Sequence, residues 1–443
     1  MTAASPRRRW HLVPTLLLAL APGMAAAEDG TEDGAEAAAR RLLQAAQSLC
    51  PAGILEPDSL SPPPGGPLSG FAIAGIADRG PADAWVQREI RLERAGSDEL
   101  LSVNATRSAG ALRRVVFELH AGNGMRPQMV VLAGGDCAPQ HARAIRYDND
   151  GIALELVLFD ADLTTVQAVE PLNPPVPEGN DPGGVTVAHI DSGVNYLLPE
   201  IAARLARDGD GNFLGRDLWD DDGRPFDGDS SRSPFFPIRH GTPVASLLIA
   251  EAPDIRLLPI RYPRPDMARM AEAVETAAAA GARIVALPMG SRAADDWADF
   301  AAAARAQPEM LFVVSAGNDG RDIDEGPLYP ASLLMDNMVV VTSADAFGRL
   351  APGSNWGAAS VDLMVPAEAV EVTDYRGARG TASGSSYAVP RVAALAARLL
   401  KNDPGLTAQE LKQAIFARAA APMERGAARV AVGWIPNPAD DLR

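Results

Sequence analysis

Cysteine is nearly missing from this chain, with Cys50 and Cys137 the two in 443 residues. Neither lies in a catalytic context, which excludes a thiol nucleophile as a first reading. Long apolar runs are also scarce. The Leu-rich stretch from Trp10 to Ala21 is interrupted by Pro14 and followed by Pro22, which leaves it well short of the ~20 residues that a membrane span requires. No second run is long enough to span. The chain also lacks a basic excess: 40 Lys and Arg stand against 57 Asp and Glu, a net charge of −17, which argues against a nucleic-acid partner because a phosphate backbone needs a basic face. There is no internal repeat. What remains is a globular composition, 47% hydrophobic, with enough length for two or three domains and a sizeable core.

The first residues combine Arg7-Arg8-Arg9, the short apolar stretch and Ala25-Ala26-Ala27. This is the charged, apolar and small-residue order of a secretory signal peptide. Residues 1–27 are therefore expected to be removed before Glu28, giving an exported chain, periplasmic or secreted. In an oxidising compartment Cys50 and Cys137 are expected to form a disulfide, with two buried free thiols as the alternative.

Residues 28–170 differ in character from the rest. They open with an Ala-rich helical stretch (Ala35 to Leu49), cross a Pro/Gly-rich connection (Ser61 to Gly70), and continue with strand-like segments at Val115–Leu119, Met129–Leu132 and Ile152–Leu158. A smaller α+β N-terminal domain is expected there. Residues 171–184 are rich in Pro and Gly and read as an exposed linker. Beyond it, apolar strands (Val185–Ile190, Ile255–Ile260, Ile284–Leu287, Leu311–Val314, Met338–Val341) alternate with helical stretches (Asp266–Ala280, Ala294–Ala306). That alternation predicts an α/β fold, a doubly wound and mainly parallel sheet, over residues 185–436, with a short tail at 437–443. Thr407-Ala408-Gln409-Glu410 has the spacing of a capping box before a final helix.

Four short segments carry the chemistry. Asp191-Ser192-Gly193 ends an apolar strand, His240-Gly241-Thr242-Pro243-Val244-Ala245 opens a helix, Val313-Val314-Ser315-Ala316-Gly317-Asn318 ends another strand, and Gly384-Ser385-Ser386-Tyr387-Ala388-Val389-Pro390 opens an Ala-rich helix. An acid, an imidazole and a hydroxyl in the order Asp, His, Ser form one of the arrangements from which a hydrolytic triad is built. Taken alone, Asp191 also reads as a strand-end turn residue and Asn318 as a turn asparagine. Ser383 and Ser385 compete with Ser386 as nucleophile, but neither has the Ser-x-Ala-x-Pro frame.

In order and in motif these four segments resemble the subtilisin-like serine proteases over about Val185 to Ala420. The resemblance implies a serine endopeptidase acting through an acyl-enzyme. Asp191, His240 and Ser386 would form its triad, and Asn318 would donate to the oxyanion. Leu287-Pro288-Met289-Gly290 would be its substrate-binding strand, with Met289, Gly290, Ala316 and Gly317 lining an open first specificity pocket. The chain departs from the family pattern at Arg239, Pro243 and Pro288. Arg239 sets a positive charge beside the imidazole, which is expected to lower the histidine pKa. The substrates implied are proteins or peptides, and no organic cofactor is implied. Calcium is a weaker expectation at the acidic clusters Asp208–Asn212 and Asp217–Asp222. The N-terminal region holds the place of the family's pro-region, an intramolecular inhibitor or chaperone, although its length fits a retained domain as well. The alternative from another class is a catalytically silent binding protein on the same fold.

Overall fold

The computed structural model describes residues 32–56, 65–81, 84–122, 126–421 and 428–440. The expected signal segment, 1–27, lies outside the described residues, as do 441–443 of the expected tail.

The N-terminal part is one helix laid across one sheet. Helix α1 (Glu32–Ser48) buries Ala39, Leu42, Leu43 and Ala46, a spacing of three and four that gathers them on one face. A single turn, α2 (Ala52–Leu55), follows. Eight antiparallel strands then run in sequence order: β1 (Phe71–Arg79), β2 (Gln87–Arg94), β3 (Leu100–Ser108), β4 (Ala111–Ala121), β5 (Arg126–Gly134), β6 (Pro139–Tyr147), β7 (Ala153–Phe159) and β8 (Val166–Pro171). In β4, Val115, Phe117 and Leu119 point inward against α1 while Arg114 and Val116 point outward, the period of two that fixes the register. The Cys50–Cys137 disulfide, with Cα atoms 6.0 Å apart, ties the end of the helical segment to the β5–β6 turn. Ion pairs from Arg146 to Glu36 and Glu155 fasten the start of α1 to the sheet.

The second part is a parallel sheet with helices on both faces, as the alternating pattern predicts. Its strands are β9 (Thr186–Asp191), β10 (Arg216–Asp217), β11 (Arg256–Arg261), β12 (Ile284–Leu287), β13 (Leu311–Ser315), β14 (Met338–Ala344), β15 (Leu363–Pro366) and, after a β16–β17 hairpin (Val370–Thr373, Arg379–Ala382), β18 (Gly433–Trp434). The spatial order is β10-β11-β9-β12-β13-β14-β15-β18, every pair parallel. Successive residues feed opposite cores. Ile284, Ala286, Leu311 and Val313 face the layer of α4 (Gly241–Glu251), α7 (Ser385–Asn402) and α8 (Ala408–Phe416), which follow the short α3 (Pro199–Ala202). Val285, Leu287, Phe312 and Val314 face α5 (Met270–Ala279) and α6 (Ala298–Arg305). Both faces are dry, which is why these strands read as unbroken apolar runs. The two helices expected at 266–280 and 294–306 each begin with a 3₁₀ turn, Met267–Arg269 and Asp295–Trp297.

The 171–184 connection is bound more firmly than an exposed linker would be. Asn173 is buried and donates to Asp222 at 2.9 Å, the Tyr196 hydroxyl donates to the Pro174 carbonyl at 2.6 Å, and Arg256 pairs with Asp181 at 2.7 Å. Its prolines cannot donate to a sheet, but their carbonyls accept from side chains of the parallel-sheet unit. Composition alone hides this.

Candidate active site

The strand–helix architecture gathers the four motifs at the carboxyl ends of β9, β12 and β13, the edge where functional groups collect in such sheets. Asp191 is the last residue of β9 and is 2% exposed. His240 immediately precedes α4, and its Nδ1 lies 2.8 Å from each Asp191 carboxylate oxygen. A carboxylate only accepts, so Nδ1 carries the proton and Nε2 faces outward with its lone pair.

Glycines make this approach possible. A Cβ at Gly241 would overlap the Gly193 carbonyl oxygen, and Gly193 has φ +96° with the carbonyls of Pro225 and Phe226 against it. A larger residue at Gly241 would push α4 away from the turn after β9, and one at Gly193 would displace the Pro225–Phe226 backbone.

Ser192 works between them. Its hydroxyl accepts from the backbone N–H of His240 (3.2 Å) and Gly241 (2.9 Å) and donates to Asp227 at 2.6 Å. The other Asp227 oxygen accepts the Thr242 N–H at 2.9 Å, so a buried carboxylate anchors the start of α4. Burial pushes the Asp227 carboxyl above its usual range, against the pull of the Ser192 and Thr242 hydrogen bonds. His189, two residues before Asp191, is fully buried, and its Nε2 lies 3.0 Å from the Gly241 carbonyl; burial holds it below its ordinary pKa, neutral and donating. Asp227 and His189 are the supporting residues that sequence reasoning missed. His189 left a signal, a polar residue inside a buried strand; Asp227 left none.

Burial disfavours the His240 cation, but the charge and hydrogen bond of Asp191, with Asp227 and Asp229 beyond, outweigh it and raise the imidazole pKa. The lowering expected from Arg239 is therefore not what the structure gives. The Arg239 guanidinium is turned away, 4.0 Å over the Tyr375 ring and donating to the Asp227 carbonyl. On Asp191, burial raises the pKa, but the charge and hydrogen bond of His240 outweigh it and hold the carboxyl below its usual value.

Ser386 sits in the first turn of α7, where the helix dipole favours negative charge. Pro390, four residues on, removes the N–H that would otherwise bond the Ser386 carbonyl. The Ser386 hydroxyl donates to the Pro288 carbonyl at 3.2 Å and makes no hydrogen bond to the imidazole. The next residue, Tyr387, brings its ring within 6.3 Å of the His240 ring. Of the competing serines, Ser385 is fully buried and Ser383 accepts the Ala369 N–H.

Asn318 is oriented by a relay. The Gly317 N–H donates to Ser315 Oγ at 3.1 Å, Ser315 and Ser385 hydroxyls meet at 2.7 Å, and the Ser385 hydroxyl and N–H both reach Asn318 Oδ1, at 3.0 and 2.9 Å. With Oδ1 occupied by two donors, the amide NH₂ is the end left toward the exposed side of the residue. Gly384, at φ +123°, holds a conformation that residues with a side chain rarely adopt, and a Cβ there would press against Asn318 at 3.1 Å from Oδ1.

Met289 and Gly290, which follow the Pro288 carbonyl that Ser386 contacts, border a groove of about 490 Å³ whose walls include Trp219, Met267, Trp297 and Asp296. Leu287 and Ala316 are fully buried, so only their backbones could meet a substrate, while Gly317 is half-buried. The acidic clusters are internally bonded: Asp208 accepts from the backbone of Asp210 and Asn212 and from the Asn212 side chain, and Asp217 pairs with Arg261. Among the described residues no group of three or more His, Cys, Asp or Glu side chains could hold a metal ion.

Residues 183–434 match the model of the subtilase family, peptidase S8. The chain is 29% identical over 230 residues to halolysin of Haloferax mediterranei, covering 48% of this chain and 40% of that protein. It is 30% identical over 123 residues to alkaline serine exoprotease A of Vibrio alginolyticus, covering 27% of this chain and 22% of that one. The crystal structure of a cold adapted subtilisin-like serine proteinase superposes at a TM-score of 0.47 with 25% identity, covering 60% of this chain and 94% of that chain. Because the family model spans more than half of the sequence and includes all four motifs, the chain belongs to the subtilase family.

Proposed function

We propose that the protein is an exported serine endopeptidase that hydrolyses peptide bonds through an acyl-enzyme. The observation that carries this is the His240–Asp191 pair, Nδ1 within 2.8 Å of both carboxylate oxygens, with the raised imidazole pKa that pairing produces. Asp191 fixes the tautomer and balances the imidazolium. His240 Nε2 takes the proton from Ser386 Oγ as that oxygen attacks the scissile carbonyl. To do so, the Ser386 hydroxyl gives up its hydrogen bond to the Pro288 carbonyl and turns to the imidazole when substrate binds. The Asn318 amide and the Ser386 backbone N–H then donate to the tetrahedral oxyanion. His240 returns the proton to the leaving amine, and water repeats the sequence on the ester. No organic cofactor enters.

Substrate lies along Pro288–Gly290 as an added strand, accepting and donating main-chain hydrogen bonds, with an apolar side chain in the groove beside Met289. Export is supported by the signal-like first residues and by the Cys50–Cys137 disulfide, which persists in an oxidising compartment. The experiment is intact mass before and after a fluorophosphonate probe, with Ser386→Ala beside the natural chain, together with a peptide-library digest. A single adduct lost in the variant, accompanied by internal cleavage of peptides, is expected. No adduct on the natural chain would instead favour a silent binding protein.

A further inference from the structure

The run Met129-Val130-Val131 in β5 is buried at three successive positions, although a sheet with one solvated face should alternate. The outward residues Val130, Ile145 and Leu156, on β5, β6 and β7, are covered by Phe235 and Phe236 from the parallel-sheet unit, and Phe235 is fully buried. Arg143 on β6 donates to the Phe235 carbonyl at 3.0 Å and stacks 4.2 Å over the Phe236 ring, and the His141 ring meets Phe236 edge-on at 6.3 Å. The covering residues, Phe235 and Phe236, belong to the loop that leads directly to His240.

That loop is held at both ends. Asp229 and Ile238 exchange backbone hydrogen bonds at 2.9 and 2.8 Å, and Arg239 stacks on Tyr375, whose hydroxyl donates to the Pro171 carbonyl at the end of β8. Beside it Glu170 on β8 pairs with Arg376 at 2.5 Å. The N-terminal sheet thus touches the approach to the imidazole at two places, Phe235–Phe236 and Tyr375–Arg376. Yet it leaves the cleft open: the His240 side chain is 31% exposed, and Asn318 and Gly290 are exposed.

We propose that the N-terminal sheet is a permanently docked support for the His240 loop, not a cover removed to activate the enzyme. The partner surface is the chain's own Phe235–Phe236 loop, and the bound 171–184 connection keeps the two parts together. A clamp that removes freedom from the segment ahead of a general base sets where that base sits, and a displacement of about 1 Å there can cost on the order of 100-fold in rate. The positioning role rests on His240 being the base; the docking does not.

The test has two arms. In the full-length Ser386→Ala chain, a recognition sequence for a site-specific protease is inserted between Asn180 and Asp181, both exposed, and the nicked protein is passed over a sizing column. Co-elution of the two pieces is expected, and their separation overturns the proposal whether or not the chain is a peptidase. In the second arm, Arg143→Ala and Phe236→Ala are compared with Arg143→Lys. The expected result is a fall in kcat of about tenfold with KM held, a displaced His240 ring signal by NMR in the Ser386→Ala background, and partial recovery with lysine. A rise in kcat, as from releasing an inhibitor, or an unmoved His240 signal would overturn it. If the natural chain takes no serine probe, the peptidase reading fails, while the sizing and NMR results still decide this one.

Discussion

In the proposed mechanism His240 sets the working pH. A general base must be neutral to accept the Ser386 proton, so activity follows its deprotonation. Burial favours the neutral ring, but the Asp191 carboxylate outweighs it and raises the pKa. The acid limb of kcat/KM against pH should therefore have its midpoint above the ordinary histidine value of about 6.5. Asp191→Asn removes the charge and reverses the tautomer preference; kcat should drop on the order of 10⁴-fold and the limb should move to lower pH. A midpoint below 6.5 in the natural chain would show that the pair is not coupled as described. The stability contribution has its own sign: the raised His240 pKa stabilises the fold below the unfolded value and the gain is lost as pH rises through the folded one. Asn318 offers a second test at this scale. Its orientation comes from Ser385 and Ser315, so Asn318→Ala should reduce kcat by about 100 to 1000-fold with little change in KM. Equal loss in KM would mean that the amide contacts ground-state substrate.

Among the elements, α8 has the clearest local logic. Thr407 Oγ1 accepts the Glu410 N–H at 3.2 Å while the Glu410 carboxylate accepts the Thr407 N–H at 2.9 Å, the reciprocal capping box read from four residues of sequence. Thr407→Ala should lower the melting temperature by about 2–4 °C without touching turnover, since α8 is remote from the cleft. A calorimetric scan beside a peptide assay decides it. The elements legible in sequence were those whose surroundings are uniform: β9, β11, β12, β13 and β14 are dry on both faces and read as apolar runs. Strands such as β2 (QREIRLER) escaped because Arg88 takes one of the inward positions, leaving Ile90 and Leu92 as the two apolar residues of the alternation. The same division holds in the site. Asp191, His240, Ser386 and Asn318 stood out because each lies in a motif of contiguous small residues that steric approach demands. Asp227 did not, because its partners Ser192 and Thr242 lie 35 and 15 residues away, and only the fold brings them together.

For the whole molecule, the question is how the two sheets share stability. The Cys50–Cys137 bond closes a sequence separation of 87 residues within the N-terminal unit, long enough that its loss should cost about 2–4 kcal/mol, chiefly by freeing the unfolded chain. If the units were joined by a slack tether, that loss would appear in a separate N-terminal transition and leave the parallel sheet unchanged. The Phe235–Phe236 seam and the bound connection argue otherwise, because unfolding the N-terminal sheet exposes Val130, Ile145 and Leu156 on one side and Phe235 on the other at once. One shared transition is therefore expected. Cys50→Ser should lower its midpoint, reductant should do the same to the natural chain and nothing further to the variant, and serine-probe labelling should decline along the same curve. Labelling that persists after the N-terminal sheet has melted would mean that the peptidase unit keeps its geometry alone.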